Sequence, residues 1–179
     1  MVELAAVCVG GKEAFEQRPV FTVTVCPISP LTLPPNTCEA IMGSAEIGVG
    51  ILVMTMALSG GTSTATLAGT LAVHNAEVLS SVVLAQLMRK GLPCTYGSTS
   101  SILDLRFGTT AVGAPEYGMI NASITELAQY YRLPCYVGGG ASDSKEPDNQ
   151  AGYEFTLSAT LSALAGANIV FGSGFWSRA

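Results

Sequence analysis

The feature of the sequence that most constrains its fold is a regular alternation of short apolar strands and longer helical segments. Five strand candidates occupy residues 20–29, 51–56, 93–98, 134–140 and 168–174, and four helical segments separate them. Each strand begins about 30 to 40 residues after the previous one, which leaves room for a helical crossover. The alternation therefore predicts an α/β fold in which successive strands are parallel.

Two parallel architectures fit this alternation. Five strands suffice for a doubly wound sheet, whereas eight βα units form a (β/α)8 barrel of about 250 residues or more. Residues 2–17 predict a helix ahead of the first strand, and no helical segment follows the last strand to cover it. We therefore expect one incomplete domain over residues 1–179, a partial (β/α)8 TIM barrel of about five parallel strands with covering helices.

Composition and charge argue against several functional classes. The chain is 49% apolar and 12% charged, which suits strands and helices that are buried on more than one side. Its longest apolar run, residues 47–58, is shorter than the roughly 20 residues of a membrane span. The net charge of −5, with eight scattered basic residues, disfavours nucleic acid and anionic membranes as partners. We expect a cytoplasmic protein.

Cysteine and histidine usage predicts no metal site. The five cysteines are odd in number and include no CxxC pair, which favours reduced thiols over disulfides or a zinc site. His74 is the single histidine and lies inside a helical pattern with no second ligand near it in the sequence. We expect it to pack against neighbouring elements or to lie at the surface.

Chemistry-bearing residues concentrate in the turns that follow the predicted strands. In either parallel architecture these turns form one face, where binding sites are built. Glycines there allow close approach of a ligand to the backbone, and acidic and aromatic side chains suit a cationic substrate. The candidate substrate-binding residues are Tyr96, Asp104, Arg106, Glu116, Tyr117, Gly138, Gly139, Asp143, Tyr153 and Trp176.

Each candidate also has a purely structural explanation. Asp104 and Arg106 could brace a long loop, residues 138–140 could form a tight turn, and Tyr96 could belong to the core. Asp148, in the same region, could simply favour the first turn of its helix. The functional hypothesis rests on the convergence of these residues on one face, and no catalytic residue is assigned.

Several motifs, taken in order, resemble those of the trimethylamine methyltransferase family. The most specific are "TLAGTLAVHNAEVL" at residues 66–79, "GAPEYG" at 113–118 and "DSKEPDNQAGYE" at 143–154, and the resemblance covers essentially the whole chain. The family includes pyrrolysine-bearing trimethylamine enzymes and relatives without pyrrolysine that use quaternary amines such as glycine betaine. Its members are much longer, so the resemblance implies that this chain is an internal fragment.

The resemblance also implies an activity. A TIM-barrel methyltransferase of this family would pass a methyl group from a tertiary or quaternary methylamine to the cobalt of a cognate corrinoid protein. The corrinoid would be carried by that partner, and no cofactor would be bound directly by this chain. The full-length form is expected to be a homo-oligomer. On loop position and chemistry, the side chains favoured to orient the cation are Tyr96, Tyr117, Trp176, Glu116 and Asp104.

Alternatives remain open at this point. An in-frame UAG codon read as a stop would end the chain at Ala179, and so would a cloning or assembly boundary. For function, one alternative is a self-contained doubly wound module that binds a small anion through the backbone N–H groups of residues 138–140. Another is a truncated remnant without activity.

Overall fold

The structure, a computed structural model, describes residues 2–172 and 175–176, with the side chains of Glu16, Phe175 and Trp176 outside the described part. The helices within these residues are α1 (Val2–Val9), α2 (Lys12–Gln17), α3 (Pro35–Ile47), α4 (Leu67–Met88), α5 (Pro115–Tyr130) and α6 (Asn149–Leu164). The strands, in chain order, are β1 (Val23–Val25), β2 (Ile51–Thr55), β3 (Leu58–Ser59), β4 (Cys94–Ser98), β5 (Ser101–Asp104), β6 (Thr109–Ala111), β7 (Cys135–Gly138), β8 (Ala141–Ser142), β9 (Ile169–Phe171) and β10 (Phe175–Trp176).

The starts of the long helices have local chemical causes. Helix α4 begins after Thr66, whose side-chain oxygen accepts a hydrogen bond from the Gly69 N–H at 3.2 Å. Helix α6 begins after Asp148, whose Oδ1 accepts a hydrogen bond from the Ala151 N–H at 2.8 Å. Helix α5 begins with Pro115, where the missing proline N–H costs no helical hydrogen bond.

The main sheet keeps the order of the sequence. Its strands run β1–β2–β4–β7–β9, and every neighbouring pair is parallel. Because the order never reverses, right-handed crossovers place all the connecting helices on one face. Accordingly, α3 packs on α4, α4 on α5 and α5 on α6. This arrangement is that of a partial β/α barrel, as predicted, and the doubly wound alternative, with a reversal in strand order and helices on both faces, is wrong.

The hydrophobic core lies between the sheet and these helices. On β2, Ile51 and Val53 are fully buried in a cluster that includes Ile124 of α5. Side chains alternate along a strand, so Leu52 and Met54 point to the opposite side of the sheet. We call the helix-covered side the outer face of the sheet and the opposite side, which carries Leu52 and Met54, the inner face.

The segment ahead of the first strand differs from its prediction. One helix was expected over residues 2–17, but α1 and α2 are separate helices joined by Gly10 and Gly11. These glycines have φ angles of +93° and +129°, which lie outside the helical region and are open to glycine without a side-chain clash. The segment therefore folds back on itself, and the two helices pack against each other.

Helix α4 is apolar enough and long enough, by length and composition, to cross a membrane, and 28% of the 18-residue window that meets this test is buried. In the structure it packs on β2, and its buried polar side chains bond to neighbouring elements. His74 Nδ1 lies 2.6 Å from Thr55 Oγ1, and the Glu77 carboxylate accepts hydrogen bonds from Ser29 Oγ at 2.8 Å and the Leu31 N–H at 2.9 Å. These contacts give α4 the environment of a core helix in an α/β domain.

Candidate functional site

The turns after the main strands lie along one edge of the sheet, because the strands are parallel. Four of these strands lead directly into short ones: β2 into β3, β4 into β5, β7 into β8 and β9 into β10. Strand β3 pairs in parallel with β5, and β8 pairs in parallel with β10, while β5 and β6 form an antiparallel hairpin. We call this edge the rim; it consists of β3, β5, β6, β8 and β10 and the turns next to them.

Two of the predicted site residues meet at the rim. Tyr117 lies in the first turn of α5 and is 4% exposed, and burial raises the pKa of its phenol to about 12. Its hydroxyl lies against Gly138, where a Cβ atom would collide with it. The absence of a side chain at Gly138 therefore makes room for the Tyr117 hydroxyl at the end of β7.

The glycines that follow Gly138 are held by hydrogen bonds within the protein. The Gly139 N–H donates to the Phe171 carbonyl at 2.9 Å, and the Gly140 N–H donates to Ser158 Oγ at 2.9 Å. A Cβ atom at Gly139 would press on Val170 and on the backbone of α6. These two N–H groups have protein acceptors, which argues against the anion-binding alternative at this turn.

Asp143 connects two rim loops. Its carboxylate accepts hydrogen bonds from the backbone N–H of Val112 at 3.3 Å and of Gly113 at 2.9 Å, and its own N–H donates to Glu154 at 2.9 Å. Glu154 also accepts a hydrogen bond from Ser142 Oγ at 2.6 Å. Asp143 and Glu154 thus tie the segment before α5 to the segment before α6, and their oxygens are committed to protein donors.

The pKa of Glu154 reflects this network. Partial burial raises the pKa of the carboxyl group, but hydrogen bonds from Ser142, from Gln150 and from the backbone N–H groups of Asp143 and Ser144 outweigh it and hold the pKa below its usual range. Glu154 was not among the predicted site residues. The only sequence signal for it is its place in the "DSKEPDNQAGYE" motif, because its partners are set by the tertiary fold.

Asp104 and Arg106 pair with each other at the tip of the β5–β6 hairpin. Arg106 Nη2 lies 3.2 Å from Asp104 Oδ2, and the Arg106 side chain is 83% exposed. Hydrogen bonds from the Arg106 side chain and backbone lower the pKa of Asp104. Sequence reasoning placed these residues in a long loop, whereas they brace a hairpin that projects from the rim.

The remaining candidates are dispersed. Glu116 is half-buried at the start of α5, and Tyr153 is 64% exposed on α6. Only the backbone of Trp176 is described, in the pairing of β10 with β8, and its side chain lies outside the described residues. The structure therefore brings together Tyr117 and Gly138, holds Gly139 and Asp143 in backbone contacts, and does not gather all ten candidates into one pocket.

Tyr96 is a residue of the core. It is fully buried on the outer face, where its hydroxyl donates to Asn75 Oδ1 at 2.8 Å and its ring stacks on Tyr131 at a centroid distance of 6.3 Å. Burial raises the pKa of its phenol. His74 lies beside it, with ring centroids 5.5 Å apart, as expected of a histidine that packs between elements. Tyr96 therefore faces the helices, away from the rim.

Sequence reasoning missed an aromatic pair on the inner face. The rings of Tyr136 on β7 and Phe171 on β9 stack at a centroid distance of 4.6 Å with 19° between their planes. Both side chains are half-buried. The signal that could have found them is positional, because an aromatic residue stands within two residues of the end of each of these strands.

One sizeable cavity is remote from the rim. It has a volume of about 820 Å³ and lies among α1, α2 and the ends of α3 and α4, with Glu3, Lys12, Glu46 and Arg89 in its lining. Those ends of α3 and α4 precede β2 and β4, so the cavity lies at the opposite end of the parallel strands. It therefore shares no residue with the rim.

Donor groups for a metal ion are sparse. Among the described residues, no three side chains of histidine, cysteine, aspartate or glutamate are grouped so as to hold a metal ion. The five cysteines carry free thiols, and burial raises the pKa of Cys26 and of Cys94.

Comparison with known proteins gives a consistent result. The model of the family described as trimethylamine methyltransferase (MTTB) matches residues 1–179. The chain is 48% identical over 174 residues to the trimethylamine methyltransferase MttB of Desulfitobacterium hafniense, covering 97% of this chain and 35% of that protein. It is 50% identical over 165 residues to the trimethylamine methyltransferase MttB of Methanosarcina barkeri, covering 92% of this chain and 33% of that protein.

A third relative differs in its substrate. The chain is 38% identical over 169 residues to a glycine betaine methyltransferase of Desulfitobacterium hafniense, covering 94% of this chain and 35% of that protein. The chain thus spans about a third of the length of each of these three relatives.

Proposed function

The chain belongs to the trimethylamine methyltransferase family, and we propose that its full-length protein removes a methyl group from a tertiary or quaternary methylamine. By full-length protein we mean the product of the complete gene, which we expect to match its relatives in length. The acceptor is the cobalt of a cognate corrinoid protein, which acts as a second substrate. The observation that carries this proposal is the family match over all 179 residues, with relatives named for trimethylamine and for glycine betaine.

The chemical step defines what the protein has to do. The bond between the methyl carbon and nitrogen breaks, its electron pair stays on nitrogen, and a neutral amine leaves. The reduced cobalt of the partner supplies the electron pair for the new bond to carbon. Because the nitrogen has to be positively charged before it can leave, the protein has to bind a cation, orient its C–N bond and exclude water.

The position of the rim supports the proposed function. The rim has the position that active sites occupy in β/α barrels, and it holds Tyr117 against Gly138.

We also propose that residues 1–179 alone do not transfer methyl groups. Five strands leave a barrel open on the inner face, so a cation bound there would stay hydrated, and water would weaken its contacts with the protein. The partner would also meet an incomplete rim. In the same proposal, the full-length protein is a cytoplasmic homo-oligomer.

The test compares the two forms directly. The full-length protein and the 179-residue chain are each incubated with reduced corrinoid protein and either trimethylamine or glycine betaine, and the cobalt absorbance is followed. We expect conversion of the cobalt spectrum with the full-length protein and one of the amines, and none with the short chain. Turnover by the short chain would refute the need for the rest of the barrel. Inactivity of the full-length protein towards every methylated amine tried would refute the proposed function.

A further inference from the structure

The inner face near the rim presents an aromatic surface. Tyr136 and Phe171 lie on neighbouring strands, with Tyr136 paired to Ile169 and Gly138 paired to Phe171 in the register. Their rings stack diagonally across this pair of strands, 4.6 Å apart. Val137 and Val170 pair with each other between these two positions, and their side chains belong to the outer face. Tyr136 and Phe171 therefore project together from the inner face, opposite to helices α3–α6.

The neighbours of this pair are small or uncharged. Tyr136 is in register with Gly97 of β4, and Gly97 is in register with Met54 of β2. Two residues further along β7, Gly138 is in register with Phe171, and the Tyr117 hydroxyl lies against this glycine. Neither glycine leaves an empty position, because a Cβ atom at Gly97 would meet Leu52 Cδ1 at 2.9 Å and one at Gly138 would meet the Tyr117 hydroxyl. The pair therefore packs beside Leu52 and Tyr117, and no charged side chain is in register with either ring.

Three carboxylates of the rim are committed to partners within the protein. Asp104 is paired with Arg106, and Asp143 accepts hydrogen bonds from two backbone N–H groups. Glu154 is bonded to Ser142, Gln150 and the Asp143 N–H. A ligand cation that drew on these oxygens would have to break hydrogen bonds that hold the rim loops together.

We propose that the Tyr136–Phe171 pair is the surface that binds the methylated ammonium group of the substrate. This proposal rests on the proposed function and names the side chains that recognise its substrate. The negative potential over an aromatic face attracts an ammonium group within about 6 Å of the ring centre, and methyl groups on the nitrogen pack against the same face. Recognition in this proposal therefore depends on the ring electrons of Tyr136 and Phe171.

The experiment measures the affinity of the full-length protein for trimethylammonium and for glycine betaine by isothermal titration. Phe171 is replaced by leucine and, separately, by phenylalanine analogues carrying one, two or three ring fluorines, which keep the shape of the ring but withdraw its electrons. We expect Phe171→Leu to weaken binding by about tenfold, and the fluorinated series to weaken it step by step towards the leucine value. Tyr136→Phe should bind nearly as the native protein does, and Tyr136→Leu should bind weakly.

The matched control is Tyr130→Leu, because Tyr130 is an aromatic residue of α5 that is 79% exposed and lies on the helical side of the sheet. This variant should bind both ammonium compounds like the native protein. The near-isosteric fluorinated series keeps the test valid if the leucine variants fail to fold.

Three outcomes would overturn the proposal. Unchanged affinity in Phe171→Leu and Tyr136→Leu would show that the pair is not the binding surface. Constant affinity across the fluorinated series would show that the ring electrons are not used. A full-length protein that binds neither ammonium compound would refute both the proposal and the proposed function. If the variants keep native affinity and the native protein transfers methyl groups, the aromatic-pair proposal is refuted but the proposed function is not. If affinity falls across the variants but no methyl group is transferred, only the proposed function is refuted.

Discussion

Replacing Gly138 by alanine tests whether the end of β7 and the start of α5 meet as the structure has them. The new Cβ atom would lie 2.7 Å from Cζ of Tyr117, whereas ordinary contact begins at 3.4 Å, and it would overlap the hydroxyl oxygen still further. Tyr117 is 4% exposed, so its ring has little room to retreat. Overpacking of this kind costs about 1–3 kcal/mol, and we expect Gly138→Ala to lower the free energy of unfolding by that amount.

The assay is equilibrium urea unfolding of the full-length protein, followed by circular dichroism. Tyr117→Phe removes the nearest atom of the clash, so the double variant should recover about 1 kcal/mol relative to the sum of the two single changes. The matched control is Gly152→Ala on α6, where a Cβ atom meets nothing within 4 Å. That change should leave stability equal or raise it slightly. Native-like stability of Gly138→Ala, or additivity in the double variant, would refute the contact.

Three further predictions concern titratable groups whose pKa the fold shifts. Burial lowers the pKa of His74 from its ordinary value of 6.5 to about 3, so between these values only the unfolded state takes up a proton. The free energy of unfolding should therefore fall by about 1.4 kcal/mol per pH unit as the pH drops from 6.5 towards 3. A His74→Gln variant with the same pH slope in urea titrations would contradict this. The pKa of Glu154 is lowered in the folded state, so its contribution to stability is present above the pKa of the unfolded state and is lost as the pH falls through the folded pKa. Glu154→Gln should unfold at a lower urea concentration than the native protein at pH 7, but its stability should fall less on acidification. Equal acid sensitivity of the two proteins would refute the hydrogen-bond network. The hydrogen bond from the Ala151 N–H, and then that from the Ser144 hydroxyl, lower the pKa of Asp148; Asp148→Ala should lower the melting temperature more than Asp148→Asn does, and equal melting temperatures would count against its capping role.

The main sheet could be predicted because its signals are local. Apolar runs such as residues 51–56 and long helical segments such as residues 62–91 mark elements whatever their neighbours are, and their spacing implies parallel pairing. The short strands of the rim carry no such signal. A two-residue strand such as β3 or β8 exists only because another chain segment lies beside it, and sequence reasoning therefore took these residues for turns.

The common edge of the turns could be predicted, but the contacts of the candidate residues could be predicted only in part. Tyr96 was chosen because it is aromatic and lies close to the turn after its strand, but the short strand does not reveal from sequence that this side chain faces the helices. Asp143 was chosen for its charge, but its partners at Val112 and Gly113 are about thirty residues away in the chain. For the same reason the stacking of Tyr136 on Phe171 was not foreseen, since it depends on the register of β7 and β9.

We propose above that the full-length protein moves one methyl group from a charged amine to the corrinoid of a partner protein. The most direct measurement uses trimethylamine and glycine betaine labelled with carbon-13 in their N-methyl groups, each with the reduced partner in a single turnover. Carbon-13 spectra and mass spectrometry follow the label. We predict that one of the two amines loses one labelled methyl group for each partner molecule that gains one, and that the other product is the amine with one methyl fewer. Label that stays on both amines, or that leaves without reaching the partner in equal amount, would contradict the claim.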